Sequence, residues 1–153
     1  MMIVSDETVK QQWYDYLTNE YDLQAIVLAH YLVEGDNRPD YDEAQNDYDN
    51  QDYLVYTDEE ADEAVREEIE ESLWAFTPSF LSAHTGVDEE VFVALADRCE
   101  VNNDSYKRMI KDFDAFVDDA VACDGRGHFL APYDHEENEI TFNGITYYIY
   151  RRN

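Results

Sequence analysis

Asn143-Gly144, set between Ile140-Thr141-Phe142 and the run from Ile145 to Tyr150, leaves the end of this chain little freedom. The dipeptide supplies the two positive φ angles of a type I′ turn, whose twist matches that of two antiparallel strands. A two-residue loop then sets the register, with Phe142 opposite Ile145 and Ile140 opposite Tyr147. The apolar side chains fall on one face and Thr141 and Thr146 on the other, so the hairpin needs a core on one side. Tyr53-Leu54-Val55-Tyr56 is a further short apolar run, and the two features together predict a small antiparallel sheet of about three strands covered on one side by helices.

Most of the remaining chain has helical period. In residues 57–76, TDEEADEAVREEIEESLWAF, Thr57 is an N-cap and Glu60 closes a capping box. Ala61, Val65, Ile69 and Leu73 recur every four residues as an inward band. Glu59, Glu63, Glu67 and Glu71 recur at the same interval two positions away, which at about 100° per residue places them opposite that band. Like charges four apart disfavour a helix by about 0.2–0.5 kcal/mol per pair. Glu67, Glu68, Glu70 and Glu71 also crowd the end where the macrodipole favours cations. Something other than helix formation therefore favours the arrangement.

The other segments follow the same logic. Ser5 or Asp6 caps a first helix to about Leu17, with Val9, Trp13, Tyr16 and Leu17 on one face, and Asp22 caps an apolar helix from Leu23 to Val33 ended by Gly35. His30, inside that segment, reads as a satisfied core or rim residue. Residues 35–52 are acid-rich with almost no aliphatics and read as a solvated loop; they lack the central Gly and terminal bidentate Glu of a calcium loop. Tyr41, Tyr48 and Tyr53 interleave with its aspartates. Thr77-Pro78 starts a short helix ended near Gly86, and Asp88 caps another with Val91, Phe92, Leu95 and Cys99 inward. Asn103 or Asp104 opens one long helix through Val121, ended by Gly125, whose outer residues Asp112, Asp114, Asp118 and Asp119 are again acidic. The expected architecture is a single α+β domain over residues 1–153, mainly helical, with a small antiparallel sheet and an acidic loop at about 35–52.

Thirteen tyrosines, seven phenylalanines and two tryptophans suit a packed core and do not suit a disordered acidic tail. Thirty-seven acidic against ten basic residues give a formal charge of −27, which argues against direct contact with nucleic acid or anionic membrane and for a basic partner. Solubility or salt adaptation is the bland alternative; three lysines fit a halophile, but the tyrosine load does not. Cys99 and Cys123 make no disulfide framework, and the start MMIVSDETV has no basic n-region and no apolar run of spanning length. These features predict a cytoplasmic location with reduced thiols.

Residues 125–139, GRGHFLAPYDHEENE, concentrate Arg126, His128, Asp134, His135, Glu136 and Glu137. His128 and His135 are seven apart across a proline, which is not metal-ligand spacing, and no nucleophile with a fixed partner can be named. The reading is that Gly125 caps the preceding helix, Gly127 permits a bend, Arg126 pairs with surrounding acids, and Tyr133-Asp134 makes a turn. No enzyme activity, metal or cofactor is expected. A small enzyme or ligand-binding protein centred on Arg126, His128, Asp134 and His135 is the alternative, and an accessory protein acting through a tyrosine-rich surface is another.

The stretch GRGHFLAPYDHEENE followed by YYIYR, together with YTDEEADEAVREEIEESLWAF, resembles a group of acidic proteins encoded in bacteriophage genomes. The resemblance covers about the last two-thirds of the chain. It implies a phage setting and carries over no functional residues.

The expectation is an inhibitor that presents helix-borne carboxylates in place of nucleic-acid phosphates to the basic groove of a nucleic-acid-binding protein, such as a restriction, CRISPR or other defence factor or a host DNA-binding factor. Residues four apart on a helix rise about 6 Å, of the same order as the axial phosphate step of about 3.4 Å per strand. The candidate partner-binding residues are Glu59, Glu63, Glu67, Glu70, Glu71, Asp112, Asp118, Asp119, Asp47, Asp49 and Tyr48. A homo-oligomer is compatible with the composition.

Overall fold

A computed structural model describes residues 2, 3, 13 and 17–153. The first expected helix lies outside the described residues except for Trp13 and Leu17, both helical. The fold is mainly helical α+β, and the chain forms two compact units, Met1–Glu63 with Arg126–Asn153, and Ala64–Gly125.

The first unit is built on the hairpin. Strands β3 (Asn138–Phe142) and β4 (Ile145–Arg151) pair antiparallel with Phe142 opposite Ile145 and Ile140 opposite Tyr147, as the turn requires. Asn143 and Gly144 have φ of 51° and 77°. Strand β2 (Tyr53–Tyr56) pairs antiparallel with the other edge of β4, and β1 (Met2–Ile3) pairs parallel with β3, giving the order β1-β3-β4-β2. One sheet face, carrying Val55, Ile140, Phe142, Tyr147 and Ile149, is buried with α1 (Leu23–Tyr31) and residues of α2 (Tyr41–Asp49). Ile145, next to the turn of the hairpin, stays exposed. The opposite face is not simply polar, since Tyr150 is fully buried there beside Tyr56.

Helix α2 corrects the expected loop at 35–52. Asp40 caps it, its carboxylate accepting from Glu43 N at 3.0 Å. The inward positions are Tyr41, Ala44 and Tyr48, with Ala44 buried and the tyrosines packed on the core. Tyrosines carry the apolar stripe where aliphatics are missing, at the i, i+3, i+7 spacing a helix needs. Gln45 fastens α2 to the start of α1, accepting from Asp22 N and donating to Asp22 Oδ2, both at 2.9 Å. Helix α1 stops at Tyr31, two residues short of Val33.

Helix α3 (Asp58–Glu71) begins at the expected capping box, with Thr57 N donating to Glu60 Oε1 at 3.0 Å and Glu60 N to Thr57 Oγ1 at 3.4 Å. The boundary between the units falls within this helix. Ala61, Val65, Ile69 and Leu73 are all buried, as the band predicts. The helix ends at Glu71, and Leu73–Ala75 form a 3₁₀ turn in place of the expected run to Phe76.

In the second unit that end is clamped by Asn103. Its side chain donates to Glu70 O at 2.5 Å and accepts from Leu73 N at 2.8 Å, diverting the backbone from helix. Helix α4 (Pro78–Thr85) has Thr77 as cap and Gly86 in the left-handed region, as expected. Helix α5 (Glu89–Asp97) buries Phe92 but leaves Val91 and Val93 exposed. Cys99 is not inward either: Cys99 N bonds Ala96 O and Glu100 N bonds Leu95 O, a Schellman turn that puts Cys99 at φ 54° and in solvent. The single helix expected from 103 to 121 is two, α6 (Asn103–Met109) and α7 (Phe113–Asp124). Buried Ile110 is extended between them, and Asp112 restarts the helix by accepting from Ala115 N at 3.1 Å. Gly125 ends α7.

Candidate functional site

In the first unit the acids divide into tied and free. Arg126 opens α8 (Arg126–Leu130), which packs along β4, and its side chain is only 11% exposed. Its Nε donates to Glu137 Oε1 at 2.7 Å and its Nη1 to Asp58 Oδ1 and Asp62 Oδ1, both at 2.9 Å. The guanidinium also stacks over the Tyr148 ring at 4.6 Å. Burial pulls its pKa down, but the Glu137 and Asp58 hydrogen bonds outweigh this and hold it firmly cationic. Tyr150 Oη donates to the same Glu137 oxygen, and burial together with that bond pushes the phenol well above its ordinary range.

Arg126 therefore pairs with surrounding acids as the sequence implied. Its partners Asp58 and Asp62 lie on α3 one turn apart, a pairing across 64 residues of chain that no local spacing announces. Gly127 is more than a bend: a Cβ there would sit 2.6 Å from His135 O and 2.9 Å from Glu137 N. His128 and His135 are exposed, their rings stacked at 5.4 Å. Among the described residues no group of three or more His, Cys, Asp or Glu could hold a metal ion.

Glu59 and Glu63 are exposed on the outer side of α3. Asp47, Tyr48 and Asp49 do not join them as a presented row. Tyr48 packs on the core, and Asp47 is half-buried, its carboxyl raised by burial and by Asp52. Asp49 accepts from Gln45 Nε2 at 3.0 Å. Asp47 instead lines a cleft of about 390 Å³ with Glu34, Asp40, Glu43 and Arg38 above Ala29, Leu32 and Val33.

The second unit sorts its acids in the same way. Glu70 is ion-paired with Lys107, and Arg66 with Asp114 while lying 4.7 Å over the Phe113 ring. Asp112 is an N-cap, and Asp119 Oδ2 sits 2.8 Å from His84 Nε2. His84 forms a three-ring cluster with Phe80 and Phe116. Glu67, Glu71 and Asp118 are exposed. Among the described residues no cation lies within ion-pair distance of Glu59, Glu63, Glu67, Glu71 or Asp118.

Of the candidate residues, Glu59 and Glu63 in the first unit and Glu67 and Glu71 in the second are exposed on α3. Glu70, Asp112 and Asp119 have structural partners instead. No protein-family model matches this chain, and no curated protein or solved structure matches it. No helix among the described residues is long and apolar enough to cross a membrane.

Proposed function

We propose that this protein is an acidic inhibitor, acting in the cytoplasm of a phage-infected host, that occupies the basic groove of a nucleic-acid-binding protein in place of nucleic acid. It is a binding protein and not an enzyme on this reading. The observation that carries the reading is that Glu59, Glu63, Glu67 and Glu71 are exposed on α3 with no ion-pair partner among the described residues, while Arg66, Lys107 and Arg126 neutralise other acids. A helix selected for stability alone would place lysines four residues from such glutamates. The helix backbone spaces these carboxylates in advance for rows of arginine and lysine, so what binding must still order is the glutamate side chains and not the chain that carries them. Opposite fields would steer the encounter, making association fast and sensitive to salt.

The test uses the full chain as bait for host lysate at low ionic strength, with stepwise salt washes and double-stranded DNA as competitor. The expected prey is a nucleic-acid-binding protein that salt releases, that DNA displaces, and that a Glu59/Glu63/Glu67/Glu71→Gln variant fails to retain. His128→Ala and Asp134→Ala should retain it. Loss of binding in the loop variants with the Gln variant unaffected would refute the proposal.

A further inference from the structure

Trp74 lies on the 3₁₀ turn that ends α3 and is 61% exposed. An indole is a large apolar surface to leave in water, and exposed tryptophans are enriched among residues that dominate binding energy. The backbone that carries this one is tied on both sides. The residue before it, Leu73, is fully buried with its N–H bonded to Asn103 Oδ1 at 2.8 Å. Phe76, just after it, stacks on Phe80 and meets Phe116 edge-on at 4.9 Å. Phe76 N bonds Leu73 O and Ala75 N bonds Ser72 O, closing the turn. Trp74 is thus presented by a fixed turn immediately after Glu67, Glu68 and Glu71, three exposed carboxylates on the last turns of the same helix. The nearby Glu70 is already neutralised by Lys107.

We infer that Trp74 is the anchor of the interaction surface and that its partner is an arginine-bearing protein surface, one guanidinium stacking on the indole while its neighbours meet the carboxylates. The charge argument selects this occupant. A second copy of a chain with net charge −27 would bring like charges together, whereas a cationic surface suits both the ring face and the exposed acids that precede it in the chain. Arginine fits better than lysine because its planar, weakly hydrated head can stack and bridge a carboxylate together. The inference rests on the basic-partner reading above and assigns Trp74 the part of choosing between arginine and lysine.

The probes are nona-arginine and nona-lysine peptides of equal charge, titrated into the full-length protein at low ionic strength. A Trp13→Phe background makes Trp74 the only tryptophan. The expected result is a change in Trp74 emission on binding and an arginine preference that falls about fivefold in Trp74→Ala, roughly 1 kcal/mol by the binding relation. Trp74→Phe should restore part of that preference, and unchanged melting of the variants shows that the fold is intact. If Trp74→Ala keeps the full preference while Glu67→Gln/Glu71→Gln weakens both peptides, the anchor is refuted and the basic-partner reading stands. If neither peptide binds, both fall.

Discussion

Single residues decide more here than their spacing suggests. Gly127 is required because backbone atoms of residues 135–137 fill the space a side chain would need. Gly127→Ala should therefore cost about 1–3 kcal/mol, the usual penalty of overpacking, read as a lowered Tm in thermal unfolding. His30 bridges α1 and α2, its Nε2 3.1 Å from Tyr41 Oη and its ring against Phe142. Burial lowers its pKa below the ordinary 6.5, so the folded chain resists a proton that the unfolded chain accepts. Its contribution is complete above that value and is lost as the pH falls through the lowered pKa, with a slope of at most about 1.4 kcal/mol per pH unit. The comparison that isolates His30 is Tm against pH for the wild type and His30→Gln, the wild type losing more on acidification.

At the level of elements, the ends of helices were set by two different kinds of interaction. The start of α3 is local: Thr57 and Glu60 are three residues apart and bond reciprocally, so the motif is legible in the sequence. Its end is tertiary, because Asn103, about 30 residues on, satisfies both Glu70 O and Leu73 N. Asn103→Ala should cost about 1–3 kcal/mol by leaving those backbone groups without their partner. Asn103→Asp should be no better, since it keeps only the acceptor and adds a charge next to Glu70. Chemical denaturation of the two variants measures this; an alanine variant as stable as the wild type would remove the clamp from the account. Helix α2 was obscured for a related reason, since its inward stripe is tyrosine and alanine, residues whose burial depends on the sheet they meet.

Over the whole molecule, a formal net charge of −27 remains after the ten basic residues are counted, and self-repulsion must reduce stability. Raising NaCl from about 0.01 M to about 1 M shortens the Debye length from about 30 Å to about 3 Å. Thermal stability should accordingly climb with salt over this range, and substitution of Glu59, Glu63, Glu67 and Glu71 by Gln should raise Tm at the low-salt end most. A Tm independent of salt would mean that the acids are screened within the fold. The same row that weakens the free protein is the one proposed to bind, so stability gained by neutralising it should accompany loss of partner.

What the chain itself determined is whatever depends on near neighbours. The Asn143-Gly144 turn carries its own φ angles, and with them the register of β3 and β4; the four-residue recurrence of Ala61, Val65, Ile69 and Leu73 dictates which side of α3 is outward and acidic. Tertiary structure alone decided which acids are free, because a carboxylate's fate depends on cations distant in sequence. Arg126 reaches back to Asp58 and Asp62, Lys107 to Glu70, and Arg66 forward to Asp114. These pairs join residues 37 to 68 positions apart, beyond any helical period, so only the folded arrangement of the cations separates the neutralised acids from the exposed ones.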